Sequence, residues 1–177
     1  MTKIEIPPSD LVLRLYRQWD KGWFVLAAGD YAAGRFNAMT VNWGSMGNMW
    51  SRPFVQIVVR PTRHTYRFTE EFSTFTLSAF PEKYRRALDI LGSKSGRDVD
   101  KIALAGLTPA PSVRVAAPSF AEAELTLECR KIYWDDFDPG QFLDPAIERN
   151  YSNRDYHRIY YGEVLRIFGE ETYSTPK

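Results

Sequence analysis

The feature that most limits the fold of this chain is a recurrence of short apolar segments rich in Val, Ile, Phe, Tyr and Thr. These segments either alternate apolar with polar residues or are apolar throughout, and both patterns are typical of β-strands. They occupy residues 23–28, 37–43, 54–60, 74–80, 112–116, 121–133 and 156–168. The sequence therefore predicts a β-rich chain.

The intervals between these segments predict how the strands connect. Residues 29–34 contain the Gly and Asp residues of a hairpin turn, so we expect the first two strands to be antiparallel neighbours. Helical patterning appears over residues 62–71, with Thr62 as the expected cap, and over residues 82–91, which end at Gly92. Short helices beside many strands favour a closed barrel, because closure removes exposed sheet edges. We expect a mainly β fold with short helices.

Length and charge limit the domain count and the partners. A chain of 177 residues is in the size range of one domain, so we expect a single domain over residues 1–177. The 23 Lys and Arg residues nearly balance 22 Asp and Glu residues, so no net field attracts nucleic acid or an anionic membrane. No apolar segment is long enough to span a bilayer. The single cysteine, Cys129, is expected to be a buried structural thiol, which fits a cytoplasmic location.

Two polar segments suit an anion. Residues 60–65 end a predicted strand at Pro61 and begin a helix among hydroxyls and cations, so the free N–H groups of the helix start are available. Residues 92–98 combine glycines, serines, Lys94 and Arg97, a composition that suits a phosphate monoester. Taken alone, each segment is more often an ordinary helix cap or loop.

Two further segments suit a flat ligand. In residues 37–45, core packing does not require Thr40, Asn42 and Ser45, and these side chains would serve at the edge of a heteroaromatic ring. In residues 155–164, Gly162 marks a close backbone approach, while His157 is open to a structural or a functional interpretation. The chain contains no G-x-G-x-x-G, P-loop, H-E-x-x-H or G-x-S-x-G motif, so metal catalysis and hydrolysis are disfavoured. Residues 43–50 are expected to form a loop.

Four motifs, taken in their order along the chain, resemble the flavin reductase-like family, especially its flavoredoxin branch. They are residues 37–43, 60–65, 92–102 and 157–164. Four ordered motifs are stronger evidence than any one of them, and the similarity covers about residues 23–168. The resemblance implies an FMN-binding split β-barrel that forms a homodimer, with the flavin at or near the subunit interface. It implies that the flavin ring and ribityl chain lie against Thr40, Val41, Asn42 and Trp43, that the phosphate lies among Arg63, Thr65, Ser93, Lys94, Ser95 and Gly96, and that His157 lies near the ring as the candidate catalytic residue.

Three functions are compatible with this resemblance. The first is an oxidoreductase in which FMN accepts hydride from NADH or NADPH and passes electrons to an acceptor, with a redox partner protein as one option. The second is an FMN electron carrier without a nicotinamide site, and the third is a β-barrel binding module without redox turnover. In the first two, the cofactor carries the chemistry, so the protein needs only to orient it and to supply hydrogen-bond donors.

Overall fold

A computed structural model describes residues 2–175. The helices are α1 (Leu15–Arg17), which continues as a π-helical turn over Gln18–Gly22, α2 (His64–Glu71), α3 (Arg85–Ser93) and α4 (Lys101–Leu104). Short 3₁₀ turns lie at Pro8–Asp10, Glu82–Tyr84, Pro139–Gln141, Pro145–Asn150 and Glu171–Tyr173. The strands are β1 (Lys3–Glu5), β2 (Phe24–Asp30), β3 (Arg35–Val41), β4 (Gly44–Met49), β5 (Arg52–Val59), β6 (Thr74–Ala79), β7 (Pro109–Ala110), β8 (Ser119–Phe120), β9 (Leu125–Asp136) and β10 (Arg158–Glu170).

One antiparallel sheet of eight strands dominates the structure. Its order is β3-β2-β6-β9-β10-β5-β4, and β1 pairs with β10 beside this path. The predicted hairpin is confirmed, because β2 pairs with β3 from Phe24 opposite Val41 to Asp30 opposite Arg35. Gly162 in β10 marks a close approach, since a Cβ there would lie 2.4 Å from Cζ of Phe75. The mainly β fold with short helices is therefore confirmed.

Buried side chains form two clusters on opposite faces of the sheet. Alternation along β2 sends Leu26 into the larger cluster, with Leu77 and Leu127 of the neighbouring strands, and Val25 into the smaller one. In the smaller cluster, α3 packs against β2 and β3 through residues such as Leu88. Both faces of β2 are buried, which explains why its sequence is a continuous apolar run. This packing places the end of α3 beside the end of β3.

Two predicted segments differ from the structure. Residues 112–116 are not a strand, because the N–H groups of Val113 and Arg114 donate to the buried carboxylate of Glu128 instead of to a neighbouring strand. The expected loop over residues 43–50 contains β4, which forms a hairpin with β5. The turn of this hairpin has Trp50 at φ 54° and Ser51 at φ 57°, a conformation usually signalled by Asn or Gly. The residue types in this turn therefore do not predict a hairpin.

The predicted helices are present with shifted starts and ends. α2 begins at His64 and is not capped by Thr62, because the Thr62 hydroxyl donates to Asp155 at 3.3 Å. The second predicted helix begins as a 3₁₀ turn, and α3 continues through Gly92 to Ser93. Cys129 is buried as predicted, and burial raises the pKa of its thiol. Within residues 2–175, every helix is too short or too polar to cross a bilayer.

Candidate functional site

The end of β3 borders a small cavity, which we call the strand-end cavity. Its volume is about 160 Å³. Thr40, Val41, Asn42 and Trp43 line it together with His157, so the structure brings together five residues that the sequence places at a flat ligand. Further lining comes from Met39, Val58, Arg60 and Arg63.

β3 offers the strand-end cavity a strand edge that has no strand partner within residues 2–175. The hydroxyl of Thr40 donates to the carbonyl oxygen of Leu88 in α3 at 2.5 Å, so this side chain is already engaged. Val41 is buried in the core. Among the described residues β3 pairs only with β2, which leaves its other edge without a strand partner. Unpaired N–H and C=O groups at a strand edge are able to bind a ligand.

His157 forms part of the wall of this cavity just before β10 begins. Its side chain is 8% exposed, and its ring centroid lies 5.2 Å from that of Trp43 and 5.5 Å from that of Tyr151. Its Nδ1 shares a hydrogen bond of 2.9 Å with the Tyr151 hydroxyl. Burial, reinforced by the charge of Arg60, lowers the pKa of His157 to about 4. The imidazole is therefore neutral at pH 7, with Nε2 as the ring nitrogen left for a ligand.

A second cavity of about 100 Å³ adjoins the first, with Met39 and Arg63 lining both. We call it the cation cavity, because Arg63, Lys94, Arg97 and Lys101 all line it. None of these four forms an ion pair within residues 2–175. Four cations that lack carboxylate partners in this part of the chain favour an anionic ligand.

Lys101 is the most buried of the four cations. Only 4% of it is exposed, and its ammonium donates to the carbonyl oxygen of Leu91 at 2.9 Å. Burial, with the charge of Arg63, lowers the pKa of Lys101 to about 8. A buried ammonium without an anionic partner costs free energy, so an anion in the cation cavity would stabilise its charged form.

His64, which also lines the cation cavity, has an unsatisfied polar atom. Its Nδ1 is buried and has no hydrogen-bond partner among the described residues. Burial, followed by the charges of Arg67, Arg97 and Lys101, lowers the pKa of His64. A phosphate monoester offers several acceptor oxygens and a negative charge, so it fits both the orphaned imidazole and the surplus of cations.

The hydroxyl groups that the sequence places at the phosphate are mostly engaged within the chain. Thr65, Ser93, Lys94 and Ser95 line the cation cavity, as does Arg63. The Thr65 hydroxyl accepts from Asn37 at 2.9 Å, the Ser93 hydroxyl donates to the Asp89 carbonyl at 2.7 Å, and the Ser95 hydroxyl accepts from the Arg97 N–H at 3.2 Å. The Ser93 donor is therefore engaged, whereas the Thr65 and Ser95 hydroxyls act as acceptors in these bonds and keep their own O–H groups to donate.

Gly96 lies beside the cation cavity and does not line it. It borders a neighbouring cavity instead, and a Cβ at this position would lie 2.7 Å from Oδ1 of Asn37. This close approach explains a glycine at position 96 without a direct role in ligand binding.

Four basic residues that line these two cavities are not among those that the resemblance places at the flavin. They are Arg60, His64, Arg97 and Lys101. Arg60, His64 and Arg97 lie inside the two segments whose composition suits an anion, so their position in these segments could have identified them as site residues. Burial of Lys101 depends on how α4 packs against α3, which the sequence does not reveal.

Comparisons with known proteins identify relatives of this fold. The flavoredoxin of Desulfovibrio vulgaris (Miyazaki F) has a TM-score of 0.66 and 24% identity, covering 91% of this chain and 75% of its own. An FMN-binding domain of a flavin reductases-like enzyme from Shewanella baltica OS155 has a TM-score of 0.69 and 15% identity, covering 98% and 85%. The NADH:FAD oxidoreductase of Streptomyces globisporus C-1027 has a TM-score of 0.63 and 20% identity, covering 82% and 73%.

These structural matches confirm the predicted split β-barrel fold. At the level of sequence, the flavin reductase like domain matches residues 16–176, which is nearly the whole chain. This range includes both cavities and every residue that the sequence places at the flavin. The chain therefore belongs to the flavin reductase-like family.

Proposed function

We propose that this protein binds FMN across the two cavities and acts as an oxidoreductase that takes hydride from a reduced nicotinamide. The observation that carries the proposal is the junction of the cavities at Arg63 and Met39. A site with backbone groups and aromatic rings at one end and unpaired cations at the other matches a flavin that ends in a phosphate. FMN, when bound, supplies the capacity to accept hydride and to release electrons singly or in pairs.

The residues of the chain bind and orient this cofactor. Arg63, Lys94, Arg97 and Lys101 neutralise the phosphate, and the buried Nδ1 of His64 gains a partner there. The backbone of residues 40–43 holds the ring and the ribityl chain. His157 is the proposed catalytic residue, because its neutral imidazole lines the ring end of the site and presents Nε2 to a ligand. A neutral imidazole stabilises negative charge by donating a hydrogen bond without itself exchanging a proton.

A second candidate function is an electron carrier without a nicotinamide site. The flavoredoxin among the structural relatives supports this alternative, and the NADH:FAD oxidoreductase supports the enzyme. A redox partner protein is expected for the electron carrier, whereas the enzyme does not require one. A binding module without redox turnover is the third alternative. A cytoplasmic location stays a prediction.

The visible spectrum of the purified protein and its response to nicotinamides test this proposal. We expect a flavin spectrum after addition of FMN, and bleaching when NADH or NADPH is mixed with the loaded protein in the absence of air. Bleaching only by a strong chemical reductant would support the carrier and contradict the enzyme. A protein that does not bind added FMN would contradict both.

A further inference from the structure

A third cavity adjoins the strand-end cavity at Trp43. Its volume is about 640 Å³, which is within the range of small-molecule sites. Trp43 lines both cavities, and Tyr151, which lines the third, is hydrogen-bonded to His157. The third cavity therefore borders the ring end of the proposed flavin site.

Aromatic side chains form the walls of this cavity. Phe142 and Tyr151 stack with ring centroids 5.9 Å apart and an interplanar angle of 13°, and Phe137 lies 6.2 Å from Phe142. Trp43 is 42% exposed and Ile147 is 37% exposed, so apolar surface is open to a ligand. Trp43 is the exposed ring among them, since Tyr151 is buried, and its face favours a planar aromatic ligand that can stack on it.

The rim of this cavity is acidic. Asp135, Asp136 and Asp138 line it, and among residues 2–175 no Lys or Arg does so. Arg158 from outside the lining pairs with Asp136 at 2.7 Å, which leaves Asp135 and Asp138 without a cationic partner in the described part of the chain. We call this cavity the acidic cleft. Its negative charge repels anions and attracts cations, while the Tyr151 ring already has Arg60 over it at 5.0 Å.

The acidic cleft and the cation cavity both adjoin the strand-end cavity, and their linings carry opposite charge. The cation cavity has Arg63, Lys94, Arg97 and Lys101 to hold a phosphate. The described lining of the acidic cleft contains no cation to hold a phosphate or a carboxylate. An anionic part of a second reactant is therefore disfavoured there.

We propose that the acidic cleft binds a planar aromatic molecule that carries no negative charge. This inference rests on the proposed function for its biological meaning, because the cleft would then hold the second reactant beside the flavin. It specifies the class of that reactant, which is the electron acceptor and not the nicotinamide: an uncharged or cationic aromatic compound is accepted, and an anionic one is rejected.

Three probes that share the quinoline ring and differ in charge test the proposal with the FMN-loaded protein: N-methylquinolinium, quinoline and a quinoline sulfonate at neutral pH. The indole N–H resonance of Trp43, assigned with Trp43→Phe, reports binding. We expect the cation and the neutral ring to bind at least about tenfold more tightly than the sulfonate. Asp135→Asn combined with Asp138→Asn keeps the acceptor oxygens and should reduce this discrimination.

A substitution that fills the cleft and a matched substitution outside it provide the structural control. Ile147→Trp should weaken the cationic probe about tenfold by occupying the cleft, whereas Leu143→Trp, at a position that is 99% exposed in the same segment, should have no effect. Equal binding of the sulfonate, or equal effects of the two Trp variants, would overturn the proposal. A cleft covered by a second copy of the chain would bind none of the probes, which would also overturn it.

FMN titration of the same samples separates this inference from the proposed function. Absence of FMN binding by wild-type protein would contradict the proposed function, and the probe titration repeated without FMN would still report on the cleft. Normal FMN binding without charge discrimination among the probes would contradict only the inference.

Discussion

At the scale of single residues, burial determines the charge states on which the proposed site depends. The pKa of His157 is lowered to about 4 and that of Lys101 to about 8, and burial is the largest cause in both cases. The two lowered pKa values have different consequences. His157 is uncharged throughout the neutral range, whereas Lys101 needs a bound anion to stay fully charged at the upper end of that range.

The lowered pKa of His157 predicts how stability depends on pH. Between about pH 4 and pH 6.5 the unfolded chain protonates this imidazole and the native protein does not, so stability falls as the pH is lowered through this window. A tenfold difference in proton affinity between the native and unfolded states corresponds to about 1.4 kcal/mol. From pH 7 to pH 4.5, we expect wild-type protein to lose about 2 kcal/mol more unfolding free energy than His157→Gln.

Urea unfolding at both pH values provides this measurement, and all other titrating groups, His64 among them, cancel between the two proteins. Losses of equal size in wild type and His157→Gln would contradict the buried, neutral imidazole.

At the scale of elements, the β2–β3 hairpin carries the ring end of the site to its position. Its turn uses Gly34 at φ 64°, where a Cβ would meet no atom within 4 Å. Gly29, at φ 129°, lies opposite Phe36, and a Cβ there would come within 2.3 Å of the Arg35 carbonyl oxygen. Gly34 is needed only for its left-handed backbone conformation. Gly29 is needed both for its backbone conformation and because a side chain would not fit there.

Alanine substitutions should separate these two requirements. Gly34→Ala should lower the unfolding free energy by about 1–2 kcal/mol, the cost of a left-handed L-residue. Gly29→Ala should cost more, because a backbone atom blocks its Cβ. Gly47→Ala is the control, since its Cβ would make an ordinary contact of 3.4 Å with Phe54. Similar losses for all three variants in chemical denaturation would contradict this account of the hairpin.

The same hairpin shows how much the sequence could predict. Residues 29–34 carry ordinary turn signals and flank apolar strands, so the pairing of β2 with β3 was predictable from local sequence. The β4–β5 turn was not, because Trp50 and Ser51 adopt left-handed conformations that their residue types rarely favour. Within the candidate site, ordered motifs identified the strand-end residues. The sequence could not show that Arg60 forms an ion pair whereas Arg97 and Lys101 form none among the described residues, because ion pairing depends on tertiary contacts.

At the scale of the whole molecule, an exposed aromatic cluster supports the predicted homodimer. Met49, Trp50 and Tyr133 are all exposed, and the rings of Trp50 and Tyr133 lie 6.1 Å apart. Contiguous exposed apolar surface of this kind marks interaction sites. We propose that a second copy of the chain covers this cluster.

Sedimentation at micromolar concentration tests this proposal. Wild-type protein should sediment at twice the 20.5 kDa of one chain. Trp50→Glu should weaken the dimer at least about tenfold, because it places a charge in an apolar interface. Leu143→Glu, at another exposed apolar residue, should leave the dimer intact. A wild-type monomer that binds FMN tightly would contradict the proposed dimer.

The central claim, that the cation cavity holds the phosphate of FMN, is tested most directly by titrating FMN and riboflavin against the same variants. The two ligands differ only in the phosphate, and one charge-assisted hydrogen bond contributes roughly 1.5–3 kcal/mol. Arg63→Ala and Lys94→Ala should each weaken FMN about tenfold to a hundredfold and leave riboflavin unchanged. Arg86→Ala, an exposed cation outside both cavities, should change neither. Equal losses for the two flavins, or no loss for either, would contradict the account.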